Sequence, residues 1–177
     1  MELTPAELTV LGLVIERPQH GYDLEQVIEQ RGIRQWTDIG FSSIYYLLTK
    51  LEQRGLLHVP EAPAAAKSRR IFHPTAEGRR VATQNALAFI AEARPHPQPL
   101  LVGVANLAML TAQQYEQALR TRLAQLEARI AALQAARQAQ GPLPGAAREV
   151  FSYSLSLMDA ERQWLVSRVQ VPHDQQN

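Results

Sequence analysis

Between Ser43 and Gly55 the chain carries one clean apolar stripe, Ile44, Leu47, Leu48 and Leu51, on a segment that Ser42 or Ser43 can cap and Gly55 can close. At about 100° per residue the opposite face holds Ser42, Tyr46, Thr49, Lys50 and Gln53, with no aliphatic residue among them. Such a helix buries one side and leaves the other long, polar and exposed.

Its neighbours set the order of a small domain. Thr4-Pro5-Ala6-Glu7 reads as a helix start, with Thr4 as cap, Pro5 at the first helical position and Glu7 able to complete a capping box. Leu8, Leu11 and Ile15 follow at helical spacing, widened by Val10 and Val14, until Pro18 stops the helix and His20-Gly21-Tyr22 turns the chain. A second helix carries Leu24, Val27 and Ile28 and ends at Gly32. After the third helix, Leu56–Val59 and Arg70–His73 are short strand expectations around a loop containing Pro63. Pro74-Thr75 then opens a helix towards Arg94. Three helices followed by two strands around a basic loop have the order of a winged helix.

Pro95-His96-Pro97-Gln98-Pro99 is a stiff linker, so residues 1–94 are expected to form the first domain. A helical domain over residues 100–171 and a frayed tail at 172–177 complete the organisation. Thr111-Ala112-Gln113-Gln114 repeats the capping-box pattern, and Leu119, Leu123, Leu126, Ile130 and Leu133 follow at steps of four and three, the spacing of a short coiled-coil seam. Gly141–Gly145 makes a turn, and a last helix sets Val150, Tyr153, Leu157, Ala160 and Trp164 on one face. The expected fold class is mainly α: a winged helix-turn-helix with a two-stranded wing, joined to a C-terminal helical dimerisation domain. No internal repeat is present.

Composition limits the function classes. Hydrophobic residues make up 46% and charged residues 20%, as in a folded globular chain. There is no cysteine, hence no disulfide framework and no thiolate metal site. Met1-Glu2 lacks the basic start of a signal peptide, and the longest apolar run, near Leu100–Leu110, is far short of the roughly 20 residues of a membrane helix. A cytoplasmic protein with no membrane association is expected. The net charge of +1 is neutral on nucleic acid, but its placement is not. The first thirty residues hold Glu2, Glu7, Glu16, Asp23, Glu25 and Glu29 against Arg17, whereas Lys50, Arg54, Lys67, Arg69, Arg70, Arg79 and Arg80 cluster between positions 50 and 80.

A helix with hydroxyls, amides and a lysine on its open face suits the major groove, where short polar groups reach base edges and cations hold phosphates. The loop Lys67-Ser68-Arg69-Arg70 could follow the adjacent backbone. Periodicity alone fits a merely solvated face beside a charged hairpin equally well.

The chain resembles the PadR-like transcription regulators. The resemblance lies in Leu3-Thr4-Pro5-Ala6-Glu7-Leu8, His20-Gly21-Tyr22-Asp23-Leu24, the block Ser43-Ile44-Tyr45-Tyr46-Leu47-Leu48-Thr49-Lys50-Leu51-Glu52 with Arg54-Gly55-Leu56, and Thr75-Ala76-Glu77-Gly78. It continues, more thinly, through Leu119–Leu133 and Glu161-Arg162-Gln163-Trp164-Leu165, which look like the C-terminal helical domain of the longer subfamily. The resemblance implies a homodimer that binds double-stranded operator DNA, mostly as a repressor, and in some members lets go of DNA when a small aromatic compound binds. It carries the DNA contact to Ser43, Tyr45 and Lys50 and to the wing cations Lys67, Arg69 and Arg70, while the open face of the helical wheel adds Ser42, Tyr46 and Thr49. The seam Leu119, Leu123, Leu126, Ile130 and Leu133 is too much apolar surface to leave in water, so it is expected to pack both on the chain's own last helix, through Val150, Leu157 and Trp164, and on a partner chain. The effector site stays unassigned, because Phe151 and Tyr153 serve equally well as core. Two departures stand out: the wing tip reads Pro63-Ala64-Ala65-Ala66 where many relatives place a basic, glycine-containing tip, and the helix after the wing lacks the tryptophan of a drug pocket. Tyr22 is expected to support the second helix, with phosphate contact as the alternative; for Tyr45 packing and DNA contact both stand.

No enzyme is indicated. Tyr46 and Lys50 share the Tyr-x-x-x-Lys spacing of short-chain dehydrogenases, but no glycine-rich dinucleotide loop accompanies them. His20, His58, His73, His96 and His173 lie apart in sequence without metal spacing, so neither metal nor cofactor is expected. The rivals to an effector-released repressor are a winged-helix protein-interaction module and a DNA-binding regulator without an effector.

Overall fold

The computed structural model describes residues 1–40, 43–60, 70–93, 98–139 and 144–170. The chain divides into two compact units, Met1–Pro95 and His96–Asn177. The expected linker and the expected Gly141–Gly145 turn lie partly outside the described residues, and residues 61–69 of the expected wing loop and the expected tail at 172–177 lie outside them.

The first unit is built from α1 (Pro5–Glu16), α2 (Gly21–Gln30), α3 (Ser43–Gln53), β1 (Leu57–His58), β2 (His73–Pro74) and α4 (Ala76–Ala91), with a 3₁₀ turn at Ile33–Gln35. The helix starts follow local chemistry. Thr4 Oγ1 accepts the Glu7 amide at 3.2 Å and Glu7 Oε2 accepts the Thr4 amide at 2.8 Å, a complete capping box. Thr75 caps α4 by accepting the Gly78 amide at 2.8 Å, so α4 begins one residue after Pro74-Thr75. The core joins Val10, Leu11 and Val14 of α1, Leu24 and Ile28 of α2, the whole Ile44-Leu47-Leu48-Leu51 stripe of α3, Leu56 and Leu57, Phe72, and Val81 of α4. Buried Asn85 ties the N-terminal segment down, accepting the Leu3 amide at 2.8 Å and donating to the Met1 carbonyl at 3.0 Å.

The wing is shorter than its sequence pattern. Leu57 pairs with Pro74 and His58 with His73, antiparallel, while Phe72 bridges to Gln19 in the α1–α2 turn. The Phe72 amide donates to the Gln19 carbonyl at 3.1 Å. The returning chain therefore spends its first half on that turn and only its second half on β1.

The second unit contains α5 (Pro99–Ala105), a 3₁₀ turn at Leu107–Met109, α6 (Ala112–Ala139) and α7 (Gly145–Val169). Thr111 and Gln114 exchange the bonds of a second capping box at the start of α6. α6 and α7 fold back on one another, with Arg122 Nε 2.5 Å from Glu161 Oε1. Most of the seam of α6 is covered: Leu119, Leu126 and Ile130 are buried and Leu123 packs against them, while Leu133 is half-buried outside this cluster. The face of α7 that covers it departs from the expected stripe. Leu155, Met158, Leu165 and Val169 do the packing with Trp164 at the edge, while Val150, Tyr153 and Leu157 stay exposed. α7 carries two apolar stripes roughly 140° apart at 3.6 residues per turn. Periodicity reads both alike, and the seating of α6 selects one.

Candidate nucleic-acid interface

α3 presents its outward face as its sequence pattern requires. Ile44, Leu48 and Leu51 are fully buried, and on the far side Tyr46 is 65% exposed, with Thr49 and Gln53 exposed beside it. The Thr49 hydroxyl donates to the Tyr45 carbonyl at 3.0 Å, which fixes its rotamer and leaves its oxygen lone pairs available to a partner. Ser43 Oγ donates to the Gly40 carbonyl at 2.6 Å at the helix entry, so its hydroxyl proton is engaged by the preceding turn. Ser42, Lys67 and Arg69 lie outside the described residues.

The two flanks of α3 are held differently. On one, the Tyr45 ring lies over Gly21 at the start of α2: a Cβ there would stand 2.6 Å from Tyr45 Cε1. Gly21 is thus the seat of that ring, which accounts for a glycine at the first position of α2, where a turn was expected, and Tyr45, still 59% exposed, both packs and faces outward. Tyr22 does not support the second helix from within; it is 55% exposed. On the other flank Lys50 Nζ stands 2.9 Å from Glu7 Oε1, and Arg54 Nη1 reaches the same oxygen at 2.9 Å. Burial pushes the Glu7 carboxyl up, but the Thr4 amide, Lys50 and Arg54 outweigh it and hold the group below its ordinary value of 4.5.

At the wing base Arg70 is exposed, pairs with Glu52 of α3 at 2.6 Å and lies 5.2 Å over the Phe72 ring. Its carbonyl meets His20 Nδ1 at 3.0 Å. The strand register also sets His58 opposite His73, ring centroids 5.7 Å apart, a pairing invisible in their separation along the chain. Among the described residues no three histidine or carboxylate side chains gather as a metal site would need. Nor, among those residues, is any helix long and apolar enough to cross a membrane. Sequence reasoning placed Glu7 only in a capping box and missed its link to α3; the one available signal was a Glu-to-Lys and Glu-to-Arg pairing across helices, which no local spacing encodes.

Three helices, the third with a buried stripe and an open polar face, and a two-stranded wing define a winged helix-turn-helix protein. Residues 10–84 match the model of the Transcriptional regulator PadR-like family. Among solved structures it is similar to Bacillus subtilis PadR in complex with operator DNA, at 18% identity over 94% of this chain and 98% of that one, with a TM-score of 0.72. The same protein in complex with p-coumaric acid gives 18% identity, 92% and 95% coverage and 0.74. The Vibrio cholerae virulence activator AphA gives 16% identity, 92% and 95% coverage and 0.71. At these identities the likeness establishes the fold, including the helical second unit. No curated protein sequence matches the chain.

Proposed function

We propose that this chain is a cytoplasmic, homodimeric transcription regulator, without enzymatic activity, that reads operator DNA with α3. The observation that carries this is the α3 face itself: a helix anchored by a fully buried stripe and offering Tyr46, Thr49 and Gln53 to solvent. Hydroxyl and amide groups at that spacing match base edges in the major groove, and the wing cations match the phosphate backbone. The domain limits go with this function: residues 1–94 read DNA and 100–171 join two copies. The second, outer stripe of α7 supports the dimer, since Tyr153 (68% exposed) and Leu157 (55%) form an apolar surface that the seam of α6 does not cover. Repression is the action proposed, and relief by a small aromatic acid is its regulation, following the p-coumaric acid complex of the B. subtilis protein. Within the second unit a cavity of about 250 Å³, lined by Leu100, Val104, Leu107, Tyr115 and Leu119, is the place proposed for such a ligand.

The test is titration of the full chain against its own promoter and against a random duplex over a salt series. A DNA reader binds the promoter more tightly, and both affinities fall steeply with salt through counterion release. Replacing Arg69 and Arg70 by alanine flattens the slope if the wing meets phosphate. The rival interaction module draws on the exposed Tyr45 and Tyr46, aromatic anchors of the kind protein interfaces favour. Equal, weak affinity for promoter and random duplex would favour it.

A further inference from the structure

Glu7 is the one acidic side chain in the interior among the described residues, 1% exposed. Its two oxygens are divided between two tasks. Oε2 serves the capping box of α1 through the Thr4 amide at 2.8 Å. A neutral glutamine performs that task equally well in other helices, so the cap does not require a charge. Oε1 instead receives two cations, Lys50 Nζ from the last turn of α3 and Arg54 Nη1 from the residue just after it, both at 2.9 Å. Arg54 is tied further by Nη2 to the Glu2 carbonyl at 2.8 Å.

Aliphatic packing is non-directional, so the Ile44-Leu47-Leu48-Leu51 stripe by itself leaves α3 free to roll slightly about its axis. Directional contacts remove that freedom. Lys50 and Tyr45 lie on opposite flanks of the outward face, about 70° to either side of its centre at 100° per residue. Lys50 is held by α1 and Tyr45 rests on Gly21 of α2. The outward residues Tyr46, Thr49 and Gln53 sit between these two fixed points.

We propose that Glu7 is a positioning residue for DNA readout: it takes Lys50 and Arg54 as counter-ions, fixes the roll of α3, and withholds Lys50 from the phosphate backbone. This rests on α3 being the reading helix. Its consequence is that Lys50 serves discrimination between sequences and adds nothing to counterion release. A lysine that meets a phosphate contributes about 0.9 to the slope of log affinity against log salt.

Full-length wild type, Lys50→Gln, Glu7→Gln and the double variant are titrated with the promoter duplex and a random duplex across a salt series. Lys50→Gln is expected to reduce the promoter-to-random affinity ratio about tenfold while leaving the salt slope unchanged. Glu7→Gln lowers the ratio similarly without weakening random binding, and the double variant is no worse than the worse single, because both break one linkage. Lys50→Arg, which keeps the charge beside Glu7, restores the ratio. A slope shallower by about 0.9 in Lys50→Gln places that ammonium on a phosphate and overturns the proposal. A full ratio in Glu7→Gln overturns it too. A urea-unfolding cycle on Glu7 and Lys50 decides the linkage without DNA: coupling supports it and additivity overturns it. A wild type that binds neither duplex while the cycle shows coupling defeats the DNA-reading function and leaves the linkage standing.

Discussion

Gly78 and Gly21 are both glycines because another group comes too close for a Cβ, yet their neighbours differ in kind. A Cβ on Gly78 would stand 2.1 Å from the Leu56 carbonyl oxygen, a backbone atom already engaged by the Thr75 amide at 3.1 Å. Neither side can yield without opening the junction of α4 and the wing. Gly78→Ala is therefore expected to cost about 2–3 kcal/mol, seen as a lower urea midpoint for the first unit. The Gly21 neighbour is the far part of the Tyr45 ring, which can swing away. Gly21→Ala is expected to leave the urea midpoint nearly unchanged but to lower promoter discrimination by displacing Tyr45. A large loss of stability with normal discrimination would remove Tyr45 from the DNA face. The Glu7 carboxyl adds a pH dependence. Its folded pKa lies below the ordinary 4.5, so its contribution to stability is present above that value and is lost as pH falls through the folded pKa. In acid melting series Glu7→Gln is expected to flatten this fall; an unchanged profile would assign it to other carboxylates.

Helix existence and helix partners have separate origins in this chain. α1, α4 and α6 are announced by their own first turns, since each cap is made by residues three apart that the sequence places side by side. What a helix packs against is another matter, and α7 shows it. Leu165 is fully buried against α6, whereas Leu157, an equally good aliphatic on the same helix, is 55% exposed. Leu165→Ala is expected to destabilise the second unit by about 2–5 kcal/mol, and Leu157→Ala to leave its unfolding midpoint within about 0.5 kcal/mol when measured at dilutions that hold it monomeric. Comparable losses in both would mean that the outer stripe is covered in the monomer.

For the whole molecule, the proposed function asks for two reading heads. One winged helix contacts too few base pairs for selectivity in a genome, and a two-fold dimer asks for half-sites about 34–36 Å apart or a multiple of that. α6, with 28 residues, is about 40 Å long at 1.5 Å per residue. The core of the first unit is closed within residues 3–82, so a chain ending at Pro95 is expected to fold. It should be monomeric by light scattering and bind the promoter far more weakly than the full chain. Tyr153→Asp or Leu157→Asp in the full chain should give the same two results; a dimer that survives both substitutions would move the interface elsewhere.

The helices, their caps and the polar face of α3 are legible in the sequence, because these depend on residues within a turn or two of one another. Hydrophobic period and capping chemistry are local, and they are written in order. Tertiary structure decided the rest: that Lys50 faces a buried carboxylate from α1, that Gly21 seats Tyr45, that Phe72 joins Gln19 before the wing begins, and that Leu165 rather than Leu157 is covered. Each joins groups from different elements. Their meeting depends on the angle and register at which helices and strands dock, which are set by the shared core and not by the spacing of residues along the chain.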